Sequence, residues 1–573
     1  MLTKLCTIMM CFFVVSLMGC VGQQGGREGS MRSLISPGSV ACEPLPAPTN
    51  RCDVLRMGAA AARDYTVAAD ILTPEGVLRD GAIHVSDGKI TAVGCKAQMP
   101  DATLINCRGQ LLTPGLINAH DHLTFNNIAP GGDPGALTHY AHCNNPLNAF
   151  ADRRCAAYRF DRRNEWRKGL NAKVQIPTIT QDKSTEALLW NELRHVMAGT
   201  TTVAGSGGTQ GLVRNPDRLE LMEDPLSDRA VRYATFPLGD FNQEQGLTDS
   251  CDYPAVVGTE VLDSLTFLPH VAEGIDAQSH NEVLCLSGRG VSPESRGVDT
   301  LAPSTSFIHA IAVTEQDVAA MAKAKASVVW SPRSNISLYG NTAPVTLFKD
   351  AGVNIALATD WTPSGSINLF KELQCAASYN QDYLAGYFSS RDLWQMTTEN
   401  AARALGLGQR LGKVAVGYEA DFAVIHPKLP DDPYASVINA DSSDVVLTVR
   451  SGQALYGDSA TLDSWLVGRC EAMGEVCGSP KSVCLEKTGR TFAQLQRSNA
   501  HSYPLTLCDA SALQPSCVPS RFGQYSGQRT DDDRDGDGVP DARDNCPDIF
   551  NPPRPMEGKT QLDVCNAAER VPR

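Results

Sequence analysis

Residues 113–122 read Thr-Pro-Gly-Leu-Ile-Asn-Ala-His-Asp-His, an apolar run that ends in two histidines separated by one aspartate. Side chains two residues apart in an extended strand project to the same face, so His120 and His122 can point together at one ion while Asp121 points away. Imidazole nitrogens are good ligands for Zn²⁺ and Fe²⁺. This stretch therefore predicts a strand whose end carries part of a metal site.

Three later apolar strand patterns also end at a side chain that can bind a metal, namely His270, His309 and Asp360. Glu273 follows His270 by three residues and can return to the same side as the chain turns into a helix. A mononuclear catalytic metal takes about three protein ligands and leaves a position for water, and a carboxylate beside that water can move protons. The predicted metal ligands are His120, His122, His270 and Asp360, with Asp360 also able to hold the water and Glu273 as the proton shuttle.

Short apolar runs alternate with helical patterns from this first strand to about residue 407. The predicted helices include Thr185–Ala198 and Glu315–Ala324. The predicted strands include Thr200–Ala204, Thr266–His270, Ser306–His309, Ser327–Trp330 and Asn354–Thr359. Such alternation predicts a parallel α/β architecture, most economically a (β/α)₈ TIM barrel, in which the carboxyl ends of the strands carry the chemistry.

The order and spacing of these motifs resemble those of the amidohydrolase superfamily, in its deaminase and chlorohydrolase-like branch, over about residues 65–456. The matching segments are Thr113–His122 for the first strand, His270–Glu273 for the fifth, His309–Val318 for the sixth, Trp330–Gly340 for the seventh and Thr359–Trp361 for the eighth. Thr398–Gly406 and Gly417–Asp421 resemble the exit of that family into a small β-sandwich, formed by the segments that flank the barrel.

The resemblance implies one divalent metal, Zn or Fe, and a metal-activated water that attacks an electrophilic carbon and expels ammonia or an amine. His309 would touch the water or the substrate, and Glu273 would pass a proton to the leaving nitrogen. Deamination of a heterocycle and opening of a cyclic amide both stay open, with Glu273 favouring deaminase-like chemistry. In the region expected to hold the fourth strand, Tyr233–Gly239, no lysine or glutamate stands out that could bridge two metals, which disfavours a binuclear site. Asn335 and Trp361 are either pocket residues or packing residues.

The amino terminus predicts export. An apolar run from Leu5 to Met18 follows Lys4 and is shorter than the about 20 residues of a membrane span, as in a signal peptide. It ends in Leu-Met-Gly-Cys, which resembles a bacterial lipobox with Cys20 as the lipidated residue. We expect a protein anchored in the bacterial cell envelope by its lipid alone.

Composition limits the class of partner. The chain has 573 residues and a net charge of −14, which argues against nucleic-acid binding. A small-molecule substrate is what the family resemblance implies. Of 19 cysteines, 16 remain once the signal segment and Cys20 are set aside, an even number that suits disulfides in an oxidising compartment. The predicted segments are a signal peptide (1–19), a tether (20–63), the two parts of the β-sandwich (64–112 and 408–460), the barrel (113–407), a Cys-rich appendage (461–530) and a calcium loop with tail (531–573).

The acidic segment near the carboxyl terminus has the spacing of a calcium loop, with Gly538 at the sharp turn. The predicted calcium ligands are Asp533, Asp535, Asp537, the backbone carbonyl of Val539, Asp541 and Asp544. The Asp-Asn-Cys-Pro ending resembles a thrombospondin type 3 repeat. An alternative to the enzyme is therefore a catalytically inactive barrel that serves as a calcium-binding surface protein.

The other histidines carry weaker signals. His139 and His142 lie in a long segment where the family places substrate-covering loops, and a second metal pair there is a minor alternative. His195 and His280 fall in helical patterns and are predicted to be structural.

Overall fold

The computed structural model describes residues 40–130, 137–176, 181–205, 207–221, 226–244, 246–290, 294–508, 514–558 and 560–565, so the signal segment and Cys20 lie outside the described residues. Among the described residues, no helix combines the length and apolar character that crossing a bilayer requires.

The strands are, in chain order, β1 (Val40–Ala41), β2 (Asp53–Arg56), β3 (Asp64–Thr73), β4 (Gly76–Ser86), β5 (Lys89–Gly94), β6 (Thr103–Pro114), β7 (Leu116–Asp121), β8 (Thr200–Gly205), β9 (Val231–Ala234), β10 (Thr266–Val271), β11 (Ser306–His309), β12 (Ser327–Trp330), β13 (Asn354–Leu357), β14 (Phe422–Ile425), β15 (Val445–Arg450), β16 (Gln453–Asp458), β17 (Glu471–Val476) and β18 (Ser479–Val483). The α-helices are α1 (Leu137–Asn144), α2 (Pro146–Ala151), α3 (Arg163–Lys168), α4 (Thr185–Val196), α5 (Ala277–Leu286), α6 (Glu315–Ala324), α7 (Pro332–Tyr339), α8 (Val345–Asp350), α9 (Leu369–Tyr383), α10 (Ser390–Gln395), α11 (Glu399–Ala404), α12 (Pro433–Ile438), α13 (Ser459–Trp465) and α14 (Phe492–Ser498).

The predicted α/β pattern of the central region appears as parallel strands followed by helices. Strands β9 to β13 form a five-stranded parallel sheet, and β7 pairs with β8 in parallel. Helix α6 has the predicted bounds because Thr314 and Asp317 form a capping box at its start. Helix α4 ends two residues before the predicted end, at Val196.

Backbone contacts connect the two parallel sheets on both sides. On one side, Asp360 after β13 accepts from His122 N at 2.7 Å and donates to His120 O at 3.2 Å. On the other side, Thr202 in β8 forms an isolated parallel bridge with Arg214, and Val231 N at the start of β9 donates to Pro216 O at 2.9 Å. The segment around Arg214 thus lies between β8 and β9 and connects them by backbone hydrogen bonds.

The segments that flank the parallel strands meet in a third sheet, which has eleven strands and is mainly antiparallel. Strand β6 before the parallel region pairs antiparallel with β14 after it, with Phe422 opposite Pro114. Because β6 leads directly into β7, this pairing places the sheet beside the start of the first parallel strand. Its apolar core includes Tyr65 and Trp465, whose ring centroids lie 4.8 Å apart.

Two predicted boundaries differ from the structure. Part of the segment expected to be a tether is folded, because β1 and β2 join the sheet and two disulfides fasten them to the segment that follows. The Cys-rich segment is not separate either, since β18 extends the sheet from β16 and Cys517 is bonded to Cys375 in α9. The sequence did not predict these attachments, because disulfides hold much of both segments and a disulfide partner leaves no periodic apolar pattern.

All sixteen cysteines among the described residues are paired. The disulfides are Cys42–Cys95, Cys52–Cys107, Cys143–Cys155, Cys251–Cys285, Cys375–Cys517, Cys470–Cys484, Cys477–Cys508 and Cys546–Cys565.

Candidate metal centre and active site

The side chains predicted to bind the metal meet at the carboxyl ends of the parallel strands. His120 Nε2 lies 3.2 Å and His122 Nε2 lies 3.5 Å from Asp360 Oδ1. His270 Nε2 lies 3.4 Å from His122 Nε2. One nitrogen from each of these three histidines lies within 4.8 Å of the others, and the same holds for one ligand atom each of His120, His309 and Asp360.

The backbone at two of these positions adopts the left-handed region, with φ of 70° at His309 and 64° at Asp360. Such a conformation is unfavourable for residues other than glycine and persists only where the surroundings enforce it. At Asp360 the enforcing contacts are the backbone hydrogen bonds to His120 and His122. The turn redirects the side chain from the strand into the cluster.

Three histidines of the cluster, His122, His270 and His309, have a pKa lowered below its usual value, which favours the neutral imidazole at physiological pH. Burial lowers the pKa of His122 to about 4 and that of His309 to about 3. Burial and the neighbouring His120 hold the pKa of His270 well below its usual value. Burial alone would raise the pKa of Asp360, but the hydrogen bond with His120 and the nearby histidines lower it overall. The cluster therefore combines neutral imidazoles with an ionised carboxylate.

This donor set fits a divalent cation. His270 Nδ1 lies 3.3 Å from the carbonyl oxygen of Ala234, an arrangement in which Nδ1 carries the proton and Nε2 offers a lone pair. That lone pair faces His122 Nε2 across 3.4 Å in a buried site. Neutral imidazole lone pairs that converge beside a carboxylate provide the ligands that Zn²⁺ and Fe²⁺ prefer.

Glu273 lies beside the cluster in a setting that suits proton transfer. It is buried, and this burial raises its pKa to about 7, against the opposing charge of Arg163. Tyr339 Oη donates to Glu273 Oε1 at 2.8 Å, and His309 Nε2 lies 3.8 Å from Glu273 Oε2. A carboxyl group with a pKa near neutrality can both accept and donate a proton at physiological pH.

The structure adds three residues that sequence reasoning missed. Tyr339, at the end of α7, fixes Glu273; it lies in a quoted motif but was assigned no role. Ser334 donates to Asp360 Oδ2 and lies 2.8 Å from Ser364 Oγ. Tyr233 Oη lies 3.1 Å from His122 Nδ1. Ser334 also lies in the segment Trp330–Gly340, and Tyr233 begins the segment Tyr233–Gly239, but neither was assigned a role.

Asn335 and Trp361 turn out to have different roles. Asn335 Nδ2 lies 3.1 Å from His309 Nδ1, so Asn335 orients this ring. Trp361 lines the cavity, and its indole nitrogen donates to Ser364. Asp121 points away from the cluster, as predicted from strand geometry, and accepts from Asn126 Nδ2 at 2.6 Å.

A cavity of about 340 Å³ opens beside the cluster. Its floor includes His122, His270, His309, Glu273 and Asp360. Its walls are mainly aromatic, and two arginines also line it: Phe125, Trp166, Phe236, Phe241, Trp361, Arg163 and Arg167. A largely apolar cavity with a few convergent polar groups is typical of a small-molecule site.

The side chains of His142, His195 and His280 do not line this cavity. His195 Nε2 lies 3.4 Å from Asp121 Oδ2, and His280 Nε2 lies 2.9 Å from Asp317 Oδ2. His142 Nε2 lies 3.0 Å from Asp152 Oδ2, and the sulfur of the nearby Cys155 is used in a disulfide. The side chain of His139 lies outside the described residues.

The acidic tail loop brings part of its predicted ligand set together. Carboxylate oxygens of Asp533, Asp535 and Asp537 lie within 4.8 Å of one another. Burial and the charge of Asp537 raise the pKa of Asp535 to about 8. The charge of Asp544 also raises the pKa of Asp535 and that of Asp537. Asp541, in contrast, forms an ion pair in which its Oδ2 lies 2.7 Å from Arg534 Nε.

Comparison with known proteins gives consistent matches. Residues 280–455 match the Amidohydrolase family. The chain is 36% identical over 401 residues to a 5-methylthioadenosine/S-adenosylhomocysteine deaminase of Teredinibacter turnerae, covering 63% of this chain and 84% of that protein. It is 24% identical over 417 residues to a 5′-deoxyadenosine deaminase of Methanosarcina mazei, covering 67% and 89%.

Among solved structures, the fold is similar to that of an adenosine deaminase from Xanthomonas campestris with bound zinc. The TM-score is 0.50 at 19% identity, covering 76% of this chain and 97% of that chain.

Proposed function

The chain belongs to the amidohydrolase family and is a hydrolase of carbon–nitrogen bonds other than peptide bonds, and we propose that it deaminates a small heterocyclic molecule. The fold we assign is a (β/α)₈ barrel beside the eleven-stranded sheet. The observation that carries the proposal is Glu273, buried next to the histidine cluster with its pKa raised to about 7. The relatives named above are deaminases of adenosine derivatives, which supports an amino heterocycle as the substrate.

The proposed centre holds one divalent metal, Zn or Fe, through His120, His122, His270 and Asp360. When bound, this metal would make a water more acidic and polarise the reacting group of the substrate. His309, oriented by Asn335, points a ring nitrogen into the same space. The aromatic walls exclude bulk water and offer faces on which a heterocycle can stack.

Glu273 performs the proton transfers in this proposal. Its carboxylate accepts a proton as water adds to the carbon that bears the amino group, and then gives a proton to the departing nitrogen. The carbon–nitrogen bond breaks and ammonia leaves; the proton of the new hydroxyl group moves to the neighbouring ring nitrogen, so that a carbonyl group remains on the ring. Tyr339 keeps Oε1 in place during both transfers through its hydrogen bond.

Hydrolysis of a cyclic amide is the second candidate, since it needs the same cluster. The test is ammonia release from a panel of amino heterocycles, run beside ring opening of cyclic amides with the zinc-loaded protein. Deamination requires ammonia release that disappears in His270→Ala together with the bound metal. Ring opening without ammonia would replace deamination by the second candidate.

A catalytically inactive barrel predicts neither activity, and it predicts that loss of His270 leaves the metal content unchanged. The gathered donors and the perturbed pKa of Glu273 support the enzyme instead. Metal analysis of the purified protein separates the two hypotheses without a substrate.

For the tail, we propose calcium binding by Asp533, Asp535, Asp537 and Asp544. Asp535 Oδ2 is buried and has no hydrogen-bond partner among the described residues. The ion pair between Asp541 and Arg534 must open if Asp541 is to join the set. Calorimetric titration with Ca²⁺ tests this: Asp535→Asn should weaken binding, and equal affinity of wild type and variant would remove the site.

We also propose that the protein is exported and lipid-anchored through Cys20. The eight disulfides support an oxidising compartment, because such bonds are rare in the cytosol. Mass spectrometry of the mature amino terminus tests the anchor, with Cys20→Ser as the variant that should lose it.

A further inference from the structure

The two arginines that line the cavity, Arg163 and Arg167, both lie on helix α3, but only Arg163 forms ion pairs with carboxylates. Arg163 is buried, and its Nη2 lies 2.7 Å from Asp240 Oδ2 and 3.3 Å from Glu282 Oε1. Burial alone would lower the pKa of Arg163, but these two carboxylates raise it overall. The positive charge of Arg163 is therefore compensated within the protein.

Arg167 lies one turn further along α3 and has no such partner. Among the described residues, no carboxylate oxygen lies within 4.0 Å of its guanidinium, whose recorded hydrogen bonds go to Asn164 Oδ1 at 3.0 Å and the carbonyl oxygen of Phe241 at 3.3 Å. A guanidinium has five N–H donors. Three of them thus remain without an acceptor in the described part of the chain.

Aromatic rings hold this guanidinium at the wall of the cavity. Its Cζ lies 4.3 Å from the ring centroid of Phe236 and 4.7 Å from that of Phe241. Phe241 is 55% exposed, which places this pair of rings and Arg167 between the cavity and solvent. The two rings contact each other edge to face with centroids 5.0 Å apart, and the guanidinium packs against both. This packing restricts the side chain in advance, so that less conformational entropy is lost when a ligand binds.

We propose that Arg167 binds a carboxylate group of the substrate, so that the cavity selects a monoanionic amino heterocycle whose ring lies between Arg167 and the histidine cluster. A planar carboxylate matches the geometry of the guanidinium fork. The charges of Glu273 and Asp240 act on Arg167 only from beyond contact distance, so its guanidinium has N–H donors left for one carboxylate. Trp166 and Trp361, whose ring centroids lie 5.5 Å apart, provide the aromatic surface for the intervening ring.

The proposal names the substrate class of the deaminase proposed above and rests on that function for its biological meaning. The binding step can be tested without turnover. Benzoate and benzamide have nearly the same shape but differ in charge, and their binding to the zinc-loaded full-length protein can be measured by calorimetry.

Arg167→Met should weaken benzoate binding by about ten- to a hundredfold, the loss typical of a charge-assisted pair, and leave benzamide binding unchanged. Arg167→Lys should keep part of the affinity, since it retains the charge but loses the fork. The matched control is Arg154→Met, because Arg154 lies in the same long segment, is 79% exposed and pairs with Asp152. It should bind benzoate like the wild type.

Equal benzoate affinity of wild type and Arg167→Met, with equal metal content, would overturn the proposal and place the carboxylate on the metal cluster instead. Equal weakening of benzoate and benzamide would also overturn it, because it would assign Arg167 a packing role. If Arg167→Met weakens benzoate binding alone but the protein releases no ammonia from any amine tested, the proposed deamination would be refuted. The carboxylate-binding role of Arg167 would still be supported.

Discussion

Tyr339 Oη donates a hydrogen bond to Glu273 Oε1 at 2.8 Å, and Trp166 Nε1 donates to the same phenol oxygen at 2.9 Å. These two hydrogen bonds link Trp166 in the cavity wall to the carboxyl group that we assign to proton transfer. The hydrogen bond favours the ionised form of Glu273 and partly offsets the burial that raises its pKa.

Tyr339→Phe should therefore raise the pKa of Glu273 above its present value of about 7. The acidic limb of the pH–rate profile should move to higher pH, because a larger fraction of Glu273 is protonated at each pH. A profile of kcat against pH measures this shift. Tyr418→Phe, which removes a hydroxyl bonded to Gly408 O, serves as the control and should leave the profile in place. An unshifted limb in Tyr339→Phe would assign that limb to another group.

Glu273→Gln should keep the metal and lose turnover by about 10²- to 10⁴-fold, the usual contribution of a general acid–base group. The amide retains the size of the carboxyl group but cannot accept and return the proton. Metal content and kcat, measured on the same preparation, test the two halves of this expectation. Full activity on a confirmed substrate would remove Glu273 from the mechanism.

Without calcium, the stability contributed by the tail loop should fall as pH rises from about 4 towards about 8. Asp535 has its folded pKa raised from 3.8 to about 8, and that of Asp537 is raised to about 7 by burial. A raised pKa means that the folded state holds protons which the unfolded chain releases at lower pH, so stability is lost across this window. Thermal unfolding in chelator at several pH values, repeated with Ca²⁺, measures the loss and its reversal. A pH-independent midpoint in chelator would contradict the buried acidic cluster.

Arg554→Met should destabilise the protein by about 1.5–3 kcal/mol, the range for hydrogen bonds to charged groups. Arg554 is buried, and its guanidinium donates to the carbonyl oxygens of Ile311 and Val313, just after His309. Urea unfolding measures the change. Arg534→Met, at a half-exposed guanidinium, is the control and should change stability by less than about 1 kcal/mol. We also expect lower activity in Arg554→Met, because the segment it holds carries a residue of the cluster.

Sequence patterning was most informative where a strand ends at a chemically distinctive residue. His120, His122, His270, His309 and Asp360 could be located because each follows an apolar run, and parallel strands bring such ends to one edge. The partner residues had no comparable signal. Serine and tyrosine are common everywhere, and the role of Ser334 exists only because α7 places it against Asp360 after β13.

The carboxyl-terminal part shows the same limit at a larger scale. Its cysteines and acidic residues predicted disulfides and a cation loop, but not where the segment lies. In the structure, Arg521 donates to the carbonyl oxygens of Phe160 and Tyr339, beside the residue that holds Glu273. Long-range contacts of this kind join residues more than 180 positions apart in the chain and leave no local periodicity.

The amino-acid sequence by itself determined the alternation of strands and helices, the resemblance to the family and the side chains that we propose as metal ligands, because all of these depend on local spacing and residue type. Only the tertiary structure decided the tautomer-setting contacts of the histidines, the pKa of Glu273 and the difference between Arg163 and Arg167. Those properties depend on burial and on which charges lie nearby, and two arginines four residues apart acquire different roles when only one of them meets carboxylates.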